Sequence, residues 1–171
     1  MQNYGKKVYW DKFYQSSEQP FEWLKGWAEL KGIIGTLIKK TDRILNIGCG
    51  NACLTEDMYD NGYHNIVNMD ISPIVIEQMK VKNAHRTNMI YEVGDIMAMK
   101  YKTHEFDVII DKSTLDAITC SSNPQINIAR TLFEIQRVLK TCGFCIIISF
   151  GAPDIRMPHF ERSHLCFDTD I

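Results

Sequence analysis

Apolar residues recur along this chain in two rhythms. In "PFEWLKGWAELKGIIGTLIKK" they share one helical face, Trp23, Trp27, Leu30, Ile34, Leu37 and Ile38, so a helix is predicted there. From Arg43 onward, short unbroken apolar runs alternate with amphipathic stretches. "RILNIG" (43–48), "NIVNMDI" (65–71), "MIYEVGDI" (89–96), "FDVIIDK" (106–112) and "FCIIISF" (144–150) read as buried strands. Between them, "CLTEDMYDNG" reads as a short helix closed by Gly62. "SPIVIEQMKVKNAHR" opens with Ser72 in the N-cap place and Pro73 at the first helical position, which favours a helix start. "PQINIARTLFEIQRVLK" is a further helix, ended by a Cys142–Gly143 turn. Strands separated by helices must pair in parallel through right-handed crossovers. The expected fold is therefore α/β, a doubly wound Rossmann-like sheet with helices on both faces.

In such a sheet a ligand sits beyond the carboxyl ends of the strands, where the strand order reverses. The residues at those ends carry the candidate chemistry. The first strand ends in Gly48-Cys49-Gly50, where glycines let the backbone turn sharply and approach a ligand. The second ends at Asp70, placed to take both hydroxyls of a ribose. The third ends in "GDI", which sets Asp95 and the backbone of Ile96 to read an adenine amino group and ring edge. The fourth ends in Asp111 and Lys112. Each feature alone reads equally as a turn or a helix cap; together they describe a ligand cleft.

Two cofactors compete for it. A nicotinamide dinucleotide wants Gly-x-Gly-x-x-Gly, and here the third glycine position is Cys53. S-adenosylmethionine has no pyrophosphate and needs more polar contact further along, which suits "ILNIGCGN" followed by acids on strands two and three. S-adenosylmethionine is the favoured cofactor.

Composition narrows the setting. The chain has 171 residues, 45% hydrophobic and 23% charged, with a formal net charge of −2. Its Lys and Arg are scattered, which argues against nucleic acid as a partner, because phosphate binding needs a concentrated basic face. No apolar run reaches the roughly 18 residues of a membrane span, so no membrane partner is expected and a cytoplasmic protein is. The six cysteines lack the density of a disulfide scaffold, and Cys142-x-x-Cys145 runs from a helix end into a strand, where a structural role is expected. The five histidines are dispersed, so no metal site is expected.

"GKKVYWDKFY", "FEWL", "LNIGCGN", "VNMDIS", "VIEQMK", "FDVIIDKSTLDAI" and "EIQRVLKTCGF" resemble, in this order, the class I (seven-strand) methyltransferases that modify lysines of translation elongation factor 1-alpha. The resemblance runs from about Tyr4 to Ile155, and its most specific elements are "YWDKFY" and "DKSTLDA". It implies an S-adenosylmethionine-dependent transferase whose partner is a protein substrate, translation elongation factor 1-alpha. It also implies that Trp10, Tyr14 and Trp23 cover the methionine end of the cofactor, with Gly48 in contact at strand one and Lys112 beside the methionine. Asp70 with Ile71 would hold the ribose, and Asp95 with Ile96 the adenine. Aromatic faces attract a cationic sulfonium by about 0.5–2 kcal/mol. Lys112 would repel it, so its side chain is expected to turn away or to pair with Asp111 or Asp116. Asn46 stands where many class I members carry an acid on strand one.

Asp111, beside the reaction centre, is the candidate for orienting the incoming amine; a cap on the next turn is its alternative role. The chain divides into an N-terminal helical lid (1–40), a cofactor-binding core (41–151) and an incomplete C-terminal segment (152–171). A seven-strand methyltransferase ends in an antiparallel hairpin beside strand five. Here Pro153 and Pro158 break the first half of the segment that follows, leaving at most a short strand near Leu165 to Phe167 and no partner for it. The expectation is a truncated form or part of a longer protein, with strand five as an apolar edge. Three functions remain: a protein-lysine methyltransferase, a small-molecule methyltransferase of the same fold, and a non-catalytic domain that binds the cofactor or a partner.

Overall fold

The computed structural model of the chain describes residues 3–17 and 19–171. Two helices, α1 (Lys7–Ser16) and α2 (Trp27–Leu37), precede the first strand. Strand and helix then alternate as β1 (Ile44–Ile47), α3 (Leu54–Asp60), β2 (Ile66–Asp70), α4 (Pro73–Lys82) and β3 (Met89–Val93). Next come β4 (Phe106–Lys112), α5 (Thr114–Thr119), α6 (Pro124–Val138), β5 (Leu139–Ile148) and α7 (Pro153–Phe160). The five strands form one parallel sheet in the order β3-β2-β1-β4-β5.

That order reverses between β1 and β4, and the side chains separate accordingly. Ile44 of β1 and Val108 and Ile110 of β4 pack with Ile34, Met58 and Ile76 on the face covered by α2, α3 and α4. Leu45, Ile47 and Ile109 point to the other face, where Leu132 and Ile135 of α6 meet them. Alternate residues of a strand face opposite ways, so a continuous apolar run is what a sheet covered on both faces requires.

Several boundaries move from the sequence expectation for identifiable reasons. The helix expected from Pro20 begins only at Trp27. Leu24 sits in the left-handed region at φ 63° and Gly26 is extended, so residues 20–26 form a strap and Trp23 leaves the helical face. Glu29 closes the new helix end by accepting the Gly26 N–H at 3.1 Å. Leu37, expected inside, is 41% exposed. Ser72 does occupy the N-cap place of α4, but its hydroxyl donates to Asp11 Oδ1 at 2.7 Å and ties α1 to the sheet.

The Cys142–Gly143 turn does not end α6. The helix stops at Val138 and the chain passes directly into β5. Cys142, at φ 63°, lies where the pairing slips, Phe106 opposing Leu139 and Val108 opposing Phe144. The pair therefore makes a bulge within the strand. All six cysteines are free thiols; Cys49 is buried and Cys145 half-buried in β5.

The C-terminal segment also differs. Pro153 starts α7 at a position where its missing N–H costs nothing, and Pro158 removes a single helical bond. No strand forms at Leu165 to Phe167. Leu165 is buried instead, and Phe160 and Phe167 pack beside it against the α6 face of the core. Among the described residues β5 is an edge of the sheet. No helix among them is long and apolar enough to cross a membrane.

Candidate active site

A cleft of about 390 Å³ opens over the carboxyl ends of β1, β2 and β4, at the reversal of strand order. Its floor is the glycine turn after β1. Gly48 and Gly50 have φ 60° and 52°, conformations that a side chain would strain. The space is also taken: a Cβ on Gly48 would lie 2.0 Å from Thr114 Oγ1, and one on Gly50 2.8 Å from the Tyr14 hydroxyl. Thr114 fills the first gap because its hydroxyl donates to the Ile47 carbonyl at 3.0 Å.

Asp70 stands at the tip of β2, buried, with both carboxylate oxygens engaged by backbone. Oδ2 accepts the Gly50 N–H and Oδ1 the Ser72 N–H, each at 2.9 Å. Burial raises its pKa, and these bonds work against that rise. A carboxylate oxygen accepts more than one hydrogen bond, so capacity for ribose hydroxyls remains. Asp95 lines the cleft with Ile71 and Ile96, its Oδ1 accepting the Met97 N–H at 2.9 Å. On β1, Asn46 faces the cleft and donates to Asn68 Oδ1 at 3.1 Å, which also accepts from Thr55 at 2.9 Å.

The wall is aromatic. Trp10 and Tyr14 of α1 stack with ring centres 6.0 Å apart, and the Trp10 indole N–H donates to the Tyr4 carbonyl at 2.6 Å. Phe21 and Trp23 of the strap meet edge to face at 5.0 Å. Polar groups around the glycine turn hold the strap. Asn51 Oδ1 accepts the Phe21 N–H at 3.1 Å, and Asn51 Nδ2 donates to the Gln19 carbonyl at 2.8 Å. Glu22 accepts the Cys53 N–H at 3.2 Å and pairs with Lys112, whose Nζ also donates to the Trp23 carbonyl at 3.0 Å. Lys112 is therefore turned away into the strap, as expected, but its partner is Glu22 rather than Asp111 or Asp116.

Asp111 does not face the cleft. It is fully buried, and its carboxylate caps α5 by accepting the N–H groups of Thr114 (2.8 Å) and Leu115 (3.0 Å). Burial pushes its pKa up to about 7. The structure thus gives it the cap role and not that of a group orienting an amine. The acid that does line the cleft on this side is Asp116, in the first turn of α5. Its Oδ1 accepts the Ser149 hydroxyl at 2.5 Å and Arg156 Nη2 at 2.6 Å, and its Oδ2 the Phe150 N–H at 2.8 Å. Burial opposes its ionisation, but these donors hold its pKa below the usual value. They fasten α7 beside the mouth, where Phe150 is 86% exposed.

The sequence reading brought together Trp10, Tyr14, Trp23, Gly48, Gly50, Asp70, Ile71, Asp95, Ile96 and Lys112, and all of them line this one cleft. It missed the parts played by Glu22, Asn51, Asp116 and Arg156. Glu22 lay within "FEWL" and Asp116 within "DKSTLDA", but their partners are distant in sequence. The residues present fit S-adenosylmethionine. The glycine turn exposes backbone, Asp70 has acceptor capacity, and the aromatic wall suits a cationic sulfur.

Comparison with known proteins agrees. A methyltransferase-domain family matches residues 38–167. The chain is 39% identical over 166 residues to the "eEF1A lysine and N-terminal methyltransferase" of Homo sapiens, covering 93% of this chain and 24% of that protein. It is 30% identical over 171 residues to the "EEF1A lysine methyltransferase 4" of Bos taurus, covering 94% and 67%. It thus spans about a quarter of the first relative's length and two thirds of the second's. Among solved structures, a SAM-dependent methyltransferase of Methanosarcina mazei superposes with a TM-score of 0.62 at 20% identity, over 74% of this chain and 61% of that one. The phosphoethanolamine N-methyltransferase 1 of Haemonchus contortus, in complex with phosphoethanolamine and S-adenosylhomocysteine, gives 0.62 at 18%, over 82% and 30%. With fold, cleft and family match in agreement, this chain belongs to the methyltransferase-domain family, and S-adenosyl-L-methionine is its cofactor.

Proposed function

We propose that the chain transfers a methyl group to a lysine side chain of a protein, with translation elongation factor 1-alpha as the substrate type and the cytoplasm as its place of work. The observation that carries this reading is the cleft itself, where glycine turn, ribose acid and aromatic strap meet at the strand-order reversal. The substrate class rests on the names of the relatives, whose similarity spans nearly all of this chain.

When bound, the cofactor supplies a methyl group on a cationic sulfur. Asp70 would hold its ribose, with Ile71 beside it, and Asp95 and the Ile96 backbone its adenine. Trp10, Tyr14 and Trp23 would cover the methionine end and exclude water, which is the main contribution a protein makes to an in-line displacement, together with alignment. The acceptor amine must be neutral to attack. The acceptor would enter over α5 and the Phe150 edge.

Incubation with methyl-labelled S-adenosylmethionine and purified elongation factor 1-alpha tests the proposal. Label on a lysine of the factor is the expected result. In a parallel incubation with cell lysate, label confined to small molecules would move the substrate class. Cofactor binding with no label anywhere would leave a non-catalytic binding domain.

A further inference from the structure

Lys112 places an ammonium in a cleft that, on the reading above, receives a cation. Its side chain is only 6% exposed, and the groups holding Nζ both come from the strap: the Glu22 carboxylate and the Trp23 carbonyl. The second oxygen of Glu22 accepts the Cys53 N–H at the start of α3. One carboxylate therefore joins the tip of β4, the strap and the head of α3.

The register brings this group close to the reacting end. Ile47 pairs with Asp111, so Gly48 and Lys112 continue from adjacent strand tips into the same cleft. Trp10, Tyr14 and Trp23, the aromatic cover of the methionine end, line it too. Charges a few ångströms apart near a protein surface interact strongly enough to change affinity by an order of magnitude. An unpaired Lys112 would oppose a cationic sulfur but not the neutral thioether left after transfer. Structurally, Lys112 anchors the strap; electrostatically, it would penalise the substrate form of the cofactor alone.

We propose that Glu22 is the counter-charge that neutralises Lys112, and that it thereby sets the preference of the cleft for S-adenosylmethionine over S-adenosylhomocysteine. This rests on the cofactor reading above. Glu22 is a positioning residue that acts through Lys112. Because the two ligands differ in charge at one atom and otherwise share their contacts, their affinity ratio isolates the charge effect from loss of the strap.

The experiment is calorimetric titration of both ligands into the whole chain and into Glu22→Gln, Lys112→Met and the double variant. Glu22→Gln keeps the side-chain shape and removes the charge. It is expected to weaken S-adenosylmethionine about tenfold more than S-adenosylhomocysteine. Lys112→Met leaves a carboxylate in excess and moves the ratio the other way, and the double variant, again neutral, returns it towards the parent value. Equal weakening of both ligands by Glu22→Gln would overturn the proposal and leave Glu22 as a strap anchor. Should that variant not fold, an unchanged ratio in Lys112→Met overturns it equally. A parent chain that binds neither ligand overturns the cofactor reading itself, and this assignment with it.

Discussion

The carboxylate of Asp70 reaches back across 20 residues to accept the N–H of Gly50 at 2.9 Å. The acid expected to bind ribose is thus also the clip that shapes the glycine turn, and its other oxygen holds Ser72 at 2.9 Å. Asp70→Ala is expected to weaken S-adenosylmethionine at least tenfold. It should also lower stability by roughly 1–3 kcal/mol, since buried N–H groups lose their acceptor. Titration calorimetry and denaturant unfolding read the two effects separately. A lowered stability with unchanged affinity would reduce Asp70 to a turn clip.

Asp111 gives a pH signature. Its pKa is about 7 in the folded chain against 3.8 ordinarily, so between those values the folded state binds more protons than the unfolded. Stability must therefore fall as pH rises through that window, by ~1.4 kcal/mol per unit of pKa difference. Asp111→Asn cannot ionise and lacks this slope. In urea unfolding, its deficit against the parent should be clearly smaller at pH 8 than at pH 5. Its methyl transfer should survive within a few-fold, because the side chain caps α5 and does not face the cleft. A hundredfold loss of kcat with intact cofactor binding would return Asp111 to the chemistry.

Arg156 holds α7 against the cleft through Asp116 and Ser149. Arg156→Leu keeps the bulk of the stem and removes the donors. It is expected to cost about 1–3 kcal/mol and to speed hydrogen exchange over residues 153–160, while β1 and β2 keep their protection. Uniform loss of protection across the sheet would show that the latch supports the whole core.

The sequence displayed the sheet clearly because both its faces are covered. Val108–Ile110 is an apolar run between Asp107 and Asp111, and the bounds of its strand, Phe106–Lys112, match the expectation. The local caps were hidden. α5 is capped by an acid three residues upstream, with Ser113 left-handed at φ 67°, which no N-cap pattern announces. α7 contains Pro158, read as a breaker although a short helix can lose one bond. Cys142–Gly143 carries the signature of a helix end and serves as a bulge, because left-handed backbone suits both. In the cleft, residues on strand tips were legible from chain order. Glu22 was not, since its role depends on Lys112, 90 positions away.

Cofactor choice follows from the head of α3. The N–H of Cys53, where a dinucleotide-binding turn would offer its amides to a pyrophosphate, is already held by the Glu22 carboxylate at 3.2 Å. A pyrophosphate there would meet a fixed negative charge. S-adenosylmethionine is expected to raise the melting temperature, as a native-state ligand does, and NAD to leave it unchanged. Equal stabilisation by NAD would contradict the assignment.

The edge of the sheet supplies the last prediction. Among the described residues β5 pairs with β4 along one side only, and Leu165 and Phe167 pack onto the α6 face rather than adding a strand. Ile146, Ile147 and Ile148 are half-buried, with side chains packed on both faces of the sheet while one row of backbone groups stays unpaired. Such an edge exchanges its outward amides rapidly and invites pairing with another strand. Hydrogen exchange on a dilute monomer should show fast amides within 144–148 alternating with slow ones donated to β4. Raising the concentration should protect the fast set if copies pair edge to edge. Full protection of every amide in a demonstrated monomer would mean that another segment completes the sheet in solution.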